Sequence, residues 1–265
     1  MNPFFERRYQ RIFLRQIGST WVILDNQRKN NLMHPYLSVI IPAYNEEQNI
    51  KNTVKEVCHA LNQINITYEI IIVDDGSKDN TGKIIDELSR QNKRIKSIHH
   101  PENRGPGSGI FTGIKYCSGE FIIFIPADLA INPLDISKYI ESSKTADVII
   151  GLRSNRRDYP FYRKIISYVN IYLIRLLFRM KEHQFNYINM YHRSIFNHIK
   201  IESQSVFITA EIIIKAKYAG FRLKEVKISY VPRAFGKSNT GSIKVITQTF
   251  LDMMKLWLKF VKGKT

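Results

Sequence analysis

The chain has 265 residues, and its 40 lysines and arginines outnumber its 23 aspartates and glutamates, so its formal net charge is +17 at pH 7. Hydrophobic residues make up 44% of the chain, which is enough for a packed core and excludes a disordered chain. Because it has only 2 cysteines, a disulfide framework and a cysteine-based zinc finger are also excluded. The positive excess indicates a polyanionic partner, either nucleic acid, anionic lipid or a phosphorylated substrate.

Residues 1–36 are basic and aromatic without strand-like alternation, so we expect an N-terminal extension containing one amphipathic helix. The apolar face of that helix would contain Phe5, Ile12, Phe13 and Ile17. Arginines interrupt the segment between Phe4 and Leu24, so we expect no signal peptide there. No apolar run reaches about 18 residues, so no membrane-spanning helix is predicted.

From Leu37 onward, strand-like and helix-like segments alternate. Short apolar runs rich in β-branched residues predict strands at residues 37–41, 68–73, 95–99 and 121–125. Apolar residues three and four apart predict a helix after each of the first three strands. A strand at 147–151, a helix at 209–220 and a strand at 221–231 follow. This alternation predicts an α/β fold with a mostly parallel, Rossmann-like sheet flanked by helices.

Polar residues follow three of the predicted strands, in the segments Pro42-Ala-Tyr-Asn-Glu46, Val73-Asp-Asp-Gly-Ser77 and Pro126-Ala-Asp-Leu129. In open α/β sheets, ligands bind beyond the carboxyl ends of the strands. Carboxylates there can hold ribose hydroxyls, base N–H groups or a hard cation. The alternative is that these aspartates only form turns and cap the next helix. With both strand ends carrying them in this order, we favour a ligand site.

These three segments resemble the nucleotide-sugar half of family 2 glycosyltransferases. The similarity runs from about Leu37 to Ser238 and is greatest to the dolichyl- and polyprenyl-phosphate mannosyl- and glucosyltransferases. It implies a GT-A fold, a nucleotide-sugar donor, a divalent cation (Mg²⁺ or Mn²⁺) and inversion at the anomeric carbon. We therefore divide the chain into an extension (1–36), a glycosyltransferase domain (37–241) and a C-terminal amphipathic helix (242–265).

The resemblance also assigns the donor site. It implies that the nucleoside pocket, with its uracil or guanine end, is formed by Pro42, Tyr44, Glu46, Asp74 and Asp75. Asn103-Arg-Gly-Pro-Gly107 resembles the family's Asn-x-Gly-x-Gly turn, in which Gly105 helps to shape this site. The alternative for these glycines is a plain turn with close helix–sheet packing.

The expected cation motif departs from the family. Its usual pattern is Asp-x-Asp, but Pro126 occupies the first position, so Asp128 alone is left to meet the metal. Magnesium tolerates this, because it keeps several waters and binds through one carboxylate together with the donor phosphates. The departure also leaves open a second class of function, a non-catalytic scaffold that binds nucleotide sugar or membrane.

Three arginines match phosphate-binding positions of the family. Arg153 matches a Gly-Ser-Arg turn and Arg163 a following arginine, which bind acceptor and donor phosphates. Arg233 begins a segment resembling Arg-x-x-Gly-x-Ser, whose arginine neutralises the donor diphosphate. With Asp128, these arginines are the expected catalytic residues. Glu211 matches a family glutamate that either takes part in chemistry or orients a loop.

The absence of a carboxylate in one segment indicates which acceptor receives the sugar. A sugar hydroxyl needs a general base, and the segment 183–190 offers only His183 where the family often has an aspartate. A lipid phosphate is already anionic and needs no base, so we expect a polyprenyl or dolichyl phosphate. A glycan, protein or lipid hydroxyl remains the alternative.

Two predicted helices that are basic and amphipathic indicate where in the cell the protein acts. The first, 161–180, is expected to bury Ile165, Ile166, Val169, Leu173, Leu176 and Leu177. The second, 242–262, has a predicted apolar face of Ile246, Phe250, Met253, Trp257, Phe260 and Val261. Such helices bind anionic membrane surfaces, so we expect a peripheral protein on the cytoplasmic face of a membrane. The alternative is ordinary packing on the sheet. Nucleic acid is not an expected partner, since no recognition motif for it occurs.

Overall fold

The computed structural model describes residues 13–17, 20–24, 34–153, 161–232, 235 and 242–263. Its strands are β1 (Phe13–Ile17), β2 (Thr20–Leu24), β3 (Leu37–Ala43), β4 (Tyr68–Asp74), β5 (Ile95–His99), β6 (Phe121–Phe124), β7 (Val148–Arg153), β8 (Asn189–His192) and β9 (Leu223–Ile228). Its helices are α1 (Ile50–Ile64), α2 (Thr81–Gln91), α3 (Ser108–Tyr116), α4 (Ile136–Ser143), α5 (Phe161–Leu177), α6 (Ile208–Tyr218) and α7 (Ile243–Val261). Short 3₁₀ turns lie at Pro133–Asp135 and Arg193–Asn197.

The main sheet has seven strands in the order β5-β4-β3-β6-β8-β7-β9. Strand β8 is antiparallel to both of its neighbours, and the other pairs are parallel. The predicted α/β fold with a mostly parallel sheet is therefore confirmed. Strand β8 was not predicted from the sequence, because its four residues are too short to show a period.

The central strands are buried on both faces, which explains their nearly continuous apolar sequences. Val39 and Ile70 point into one core layer, which is closed by α1, α2 and α4. Ile40 and Ile71, the next residue along each strand, point into the other layer, which is closed by α3, α5, α6 and α7. Because the central strands contain few polar side chains, polar residues are concentrated at the strand ends and in the loops that follow them.

Helix α3 lies unusually close to the sheet. A Cβ atom on Gly113 would come within 2.9 Å of Cδ1 of Ile40, which is fully buried. The glycine therefore sets the distance between α3 and β3, and α3 begins at the glycine-rich turn that the sequence singled out.

The prediction of an N-terminal amphipathic helix is wrong over residues 13–17. These residues form β1, which pairs antiparallel with β2 from Ile17 opposite Thr20. Aromatic and β-branched residues in β2 favour a strand, and the two intervening residues, Gly18 and Ser19, are typical of a hairpin. Phe5 and Ile12 lie outside the described residues. The division of the chain at residues 36 and 241 stays a prediction.

The buried face expected for α5 is partly wrong. Ile165, Val169 and Leu176 are exposed, whereas Ile174 is the helix residue that is fully buried. Leu173 and Leu177 do pack against the core. Apolar residues surround much of this helix, so its period did not reveal which side faces the sheet.

Helix α7 carries two apolar faces instead of the single predicted one. Met253 is buried, and Trp257 and Phe260 pack against the core. Phe250 and Val261, which were assigned to the same face, are exposed. The helix therefore packs on the sheet layer and still presents apolar residues outward.

The contact of Gly113 with Ile40 predicts a stability effect. We expect Gly113→Ala to destabilise the protein by about 1–2 kcal/mol, because the added methyl overpacks the core by more than it gains in helix propensity. Urea unfolding measures this change. Lys115→Ala, on the exposed side of the same helix, should change stability by less than about 0.5 kcal/mol. A Gly113→Ala protein as stable as wild type would contradict the close packing.

Candidate functional site

Six strands, β3, β4, β5, β6, β7 and β9, end at the same edge of the sheet, so the segments that follow them start there. The first two of these segments are interlocked. The Asn45 amide donates to Ser77 Oγ (2.9 Å), and the Glu46 amide donates to Thr81 Oγ1 (2.8 Å). Pro42, Tyr44 and Glu46 are half-buried along this edge. The sequence-predicted donor residues are therefore close together in the fold.

Asp75 is almost fully buried and accepts several hydrogen bonds from the glycine-rich loop. Its Oδ1 accepts from Ser108 Oγ (2.8 Å), and its Oδ2 accepts from the Gly105 amide (3.0 Å). The Arg104 amide lies 3.1 and 3.2 Å from the two oxygens. Gly105 has φ of +101°, a conformation that favours glycine. Asp75 therefore fixes the shape of the loop that the resemblance assigned to the donor site.

Asp74 is held by a histidine of the neighbouring strand. His99 Nδ1 lies 3.2 Å from Asp74 Oδ2, and its Nε2 lies 2.9 Å from Asp86 Oδ1. Burial lowers the pKa of His99, but the hydrogen bonds to Asp86 and Asp74 outweigh burial, so the pKa is raised above its ordinary value. A protonated His99 offsets part of the negative charge at this edge.

The turn that carries Asp128 is held from two sides. Thr53 Oγ1 on α1 donates to the carbonyl of Ala127 (2.6 Å), and the Tyr187 hydroxyl donates to the carbonyl of Ala130 (2.5 Å). The residue after Asp128, Leu129, has φ of +51°, which costs a non-glycine residue on the order of 1–2 kcal/mol. The surrounding contacts impose this conformation, and such strain is typical of functional turns.

Asp128 fits a cation that is shared with a substrate. Among the described residues, no group of three or more histidine, cysteine, aspartate or glutamate side chains could hold a metal on its own. Magnesium commonly binds through one or two carboxylates together with substrate phosphates and water. The half-buried carboxylate of Asp128 at the end of β6 meets that requirement.

A second part of the site surrounds Arg153, the last residue of β7. Its side chain is 8% exposed, and its guanidinium lies 3.3 Å from the ring centroid of Tyr230. Gln184 accepts from its amide (3.1 Å). A small cavity beside it, about 50 Å³, is lined by Arg153, Ser167, Asn170, Ile171, Gln184, Phe185, Asn186 and Tyr187. Tyr187 joins this cavity to the Asp128 turn, which it also contacts.

Sequence reasoning missed Ser167 as a site residue. It lines the Arg153 cavity from α5, one helical turn after Arg163, which is half-buried. A serine four residues after a selected arginine on the same helix was the available signal.

Phe235, from the C-terminal part of the chain, also contacts the donor edge. Asn49 Nδ2 donates to Glu46 Oε2 (2.6 Å) and to the carbonyl of Phe235 (3.3 Å). The predicted phosphate ligand Arg233 lies outside the described residues, but Phe235 belongs to the same segment.

Glu211 orients a loop. It is 1% exposed on α6, and its two carboxylate oxygens accept from the backbone amides of Glu202 (3.0 Å) and Ser203 (2.8 Å). Lys215 lies 2.7 Å from it. The loop it holds packs against the glycine-rich turn, where the Gly107 amide donates to the carbonyl of Gln204 (2.9 Å). Of the two roles left open by the sequence, this geometry is that of a structural clamp.

A larger cavity lies elsewhere. It measures about 580 Å³ and is lined by His34, Pro35, Tyr36, Ile66, Thr67, Ser118, Glu120, His192, Arg193, Ser194 and Asn197. Several of these residues adjoin the amino ends of β3, β4 and β6, opposite the loops described above. It contains none of the predicted site residues, so size does not identify the functional site in this fold.

The sequence profile described as "Glycosyl transferase family 2" matches residues 38–201. The chain belongs to glycosyltransferase family 2. This membership confirms the resemblance drawn from the strand-end motifs. It does not test the individual residues, whose roles stay predictions.

Relatives and solved structures agree with this membership. The chain is 30% identical over 235 residues to the dolichol-phosphate mannosyltransferase of Pyrococcus furiosus, covering 85% of this chain and 64% of that protein. It is 27% identical to the undecaprenyl-phosphate 4-deoxy-4-formamido-L-arabinose transferase of Proteus mirabilis, covering 79% and 64%. The chain therefore spans 64% of the length of each of these relatives.

The GT-A fold is confirmed by structural similarity. The structure of glucosyl-3-phosphoglycerate synthase from Mycobacterium tuberculosis, in complex with Mn²⁺, UDP and glucosyl-3-phosphoglycerate, matches with a TM-score of 0.63 at 17% identity. The match covers 85% of this chain and 81% of that one. Within the described ranges, no helix combines the length and apolar character needed to cross a bilayer.

The clamp by Glu211 predicts a loss of stability rather than of chemistry alone. We expect Glu211→Ala to lower the free energy of unfolding by about 3 kcal/mol, because the buried amide of Ser203, the partly buried amide of Glu202 and Lys215 all lose this acceptor. Glu211→Gln, which keeps one acceptor oxygen, should lose less. Glu87→Ala, at an exposed position of α2, is the matched control in urea unfolding. A Glu211→Ala protein with wild-type stability but no activity would assign Glu211 to the chemistry instead.

Proposed function

We propose that this protein is an inverting glycosyltransferase that moves a sugar from a nucleotide-sugar donor to a polyprenyl or dolichyl phosphate at a membrane surface. The observation that carries the proposal is the position of the Arg153 cavity. It holds a buried arginine at the carboxyl edge of the sheet, and Tyr187 joins it to the turn of Asp128. We therefore assign a phosphate site to this cavity and a diphosphate-cation site to the adjacent turn of Asp128.

The donor half is supported by the loops after β3, β4 and β5. Pro42, Tyr44 and Glu46 line one side, and Asp74 and Asp75 fix the opposite loops. We assign the nucleoside to this space. The GT-A neighbour solved with UDP and Mn²⁺ supports a nucleoside diphosphate there.

The acceptor half is supported by the chemistry of Arg153. Arginine stays charged at any physiological pH and binds phosphate oxygens through a planar fork. Ser167 and Asn170 add neutral hydrogen-bonding groups around the same cavity. Both relatives described above act, by name, on polyprenyl-phosphate carriers, which supports the same acceptor class here.

The position of His183 supports phosphate over a hydroxyl acceptor. Its Nδ1 pairs with Glu225 Oε2 at 2.8 Å, and Glu225 lies opposite Ile150, three residues before Arg153 at the end of β7. His183 is not among the residues that line the Arg153 cavity, although its neighbour Gln184 is. The imidazole of the one base that the sequence offered is instead held by Glu225.

The mechanism follows from these positions. Arg153, with Arg163, holds the acceptor phosphate so that one of its oxygens faces the anomeric carbon of the donor. That oxygen forms the new bond to the anomeric carbon from the side opposite the diphosphate, which leaves with the bonding electron pair, so the configuration inverts. Asp128 would hold Mg²⁺ or Mn²⁺, which supplies positive charge to the diphosphate. We assign to Arg233 the further stabilisation of the leaving charge.

The outer side of α5 supports a membrane location. Its exposed apolar and aromatic residues form the α5 outer face: Phe161, Tyr162, Ile165, Tyr168, Val169, Tyr172 and Leu176. The helix also carries Arg163, Lys164 and Arg175 and no acidic residue. Aromatic and basic residues together favour the interface of an anionic bilayer, such as the cytoplasmic leaflet. An exposed patch of this kind is otherwise unfavourable on a surface.

The proposal predicts cation-dependent transfer. Purified protein with labelled UDP- or GDP-sugars, polyprenyl phosphate and Mn²⁺ should form a polyprenyl-phosphate sugar, whereas free polyprenol should accept none. Asp128→Asn should lower kcat about 100-fold, and should remove the extra rise in Tm that Mn²⁺ gives in the presence of nucleoside diphosphate.

Asp252→Asn on α7, whose carboxylate accepts from Gln248 of the same helix (2.9 Å), is the control and should retain activity. Transfer to polyprenol but not to its phosphate would reassign the acceptor to a hydroxyl. Nucleotide-sugar binding without transfer to either acceptor would favour a non-catalytic scaffold.

The membrane location predicts an effect of the α5 outer face. Phe161 and Tyr172 are 79% and 65% exposed. Phe161→Ser and Tyr172→Ser should each weaken binding to vesicles of equal parts phosphatidylcholine and phosphatidylglycerol by about tenfold, because apolar burial in the interface is lost. Tyr116→Ser, an exposed tyrosine on α3, should leave vesicle binding unchanged in a flotation assay. Equal binding by all three variants would contradict docking through α5.

A further inference from the structure

Two consecutive histidines at the end of β5 face the two consecutive aspartates at the end of β4. The parallel register places Asp74 opposite His99, and the His100 amide donates to the carbonyl of Asp74 (2.8 Å). His99 is half-exposed and is shared between Asp74 and Asp86. His100 is buried and pairs with Asp75. The two histidines therefore have different environments.

Both ring nitrogens of His100 are engaged. Its Nδ1 donates to Asp75 Oδ1 at 2.6 Å, since an ionised carboxylate can only accept. Its Nε2 lies 2.8 Å from Thr112 Oγ1 on α3. The ring thus connects the carboxylate at the end of β4 to the helix that follows the glycine-rich loop.

Asp75 is the centre of this arrangement. Besides His100, it accepts from the amides of Arg104 and Gly105 and from the hydroxyl of Ser108. The orientation of this buried carboxylate is fixed by its hydrogen-bond donors together, so the loss of one donor changes the orientation. The bond from His100 is the shortest of the set, and His100 directly follows β5.

We propose that His100 is a positioning residue for the donor nucleotide. It holds the Asp75 carboxylate in the orientation that clamps the loop 103–108, and this loop forms one wall of the nucleoside pocket. The inference rests on the proposed donor site and adds to it a residue that contacts no substrate. His100 acts through Asp75, so its loss should weaken nucleotide binding and leave the chemical step nearly intact.

Two substitutions separate hydrogen bonding from packing. His100→Asn retains an N–H close to the position of Nδ1 but removes the ring, whereas His100→Phe retains the ring and removes both polar nitrogens. We expect His100→Phe to weaken the binding of UDP or GDP, whichever wild type binds, by about tenfold. KM for the nucleotide sugar should rise by the same factor while kcat stays near its wild-type value. His100→Asn should restore most of the affinity.

Isothermal titration calorimetry with Mg²⁺ and steady-state kinetics provide these values, and His59→Asn, at an exposed position of α1, is the matched control. Hydrogen exchange of the peptide spanning 101–108 gives a readout without substrate, and the amides of Arg104 and Gly105 should exchange faster in His100→Phe than in His100→Asn.

Each other outcome decides against the inference. Unchanged affinity in His100→Phe would overturn it, and if His100→Asn alone lost affinity the effect would be assigned to the volume of the ring. Equal losses in both variants would show that an N–H near the position of Nδ1 does not restore binding, and would overturn it as well. A fall in kcat at constant KM would make His100 part of the chemistry. If wild type binds neither UDP nor GDP, the proposed function fails together with the inference; wild-type binding with unaffected variants overturns the inference alone.

Discussion

The shared carboxyl edge of the parallel strands is the constraint on which the rest of this molecule depends. Strands β3, β4, β5 and β6 lie side by side with the same direction, so each following loop starts beside the others. Burial on both faces makes the interiors of β3, β4 and β6 almost entirely apolar, apart from Ser38 and Glu69. Charged and hydrogen-bonding residues are therefore concentrated in loops that the sheet aligns. The clamps formed by Asp75 and Glu211 then fix loops that the sheet has already brought close.

The net positive charge has several separate local roles. Part of it neutralises buried carboxylates, since Lys96 pairs with Glu69 at 2.7 Å and Lys215 with Glu211 at 2.7 Å. Arg153 is itself buried and stacked on Tyr230, beside the cavity to which we assign the acceptor phosphate. The charge on α5 accompanies an apolar face instead. Composition alone could not separate these roles, because it contains no information on burial.

The fold was predictable where one physical requirement dominated the sequence. Two-sided burial makes β3 and β4 almost continuously apolar, and their bounds followed from that property. Strand ends such as Asp75 and Asp128 were recognisable for the same reason. The partners of Asp75 were not, because His100 and Ser108 lie far along the chain and only the sheet brings them near.

Helical period shows which residues share a face, but on α5 both faces are apolar, so Ile165 and Val169 were placed on the wrong side. For Ser167 the available signal, its position one helical turn after Arg163, was weak, because a lone serine is common on an amphipathic helix.

Because strand β8 is antiparallel to its neighbours, the short segment around it, residues 184–194, contributes side chains at both edges of the sheet. Because β8 runs against its neighbours, its first residue, Asn189, lies near the end of β6, and its last, His192, lies opposite the start of β6 at Phe121. Gln184 and Tyr187, which precede the strand, therefore line the Arg153 cavity, whereas Arg193 and Ser194, which follow it, line the larger cavity at the opposite edge. On the acceptor site that we propose, the residues contributed by this segment thus come before a strand and not after it, so we expect substitutions upstream of β8, not downstream, to affect the acceptor.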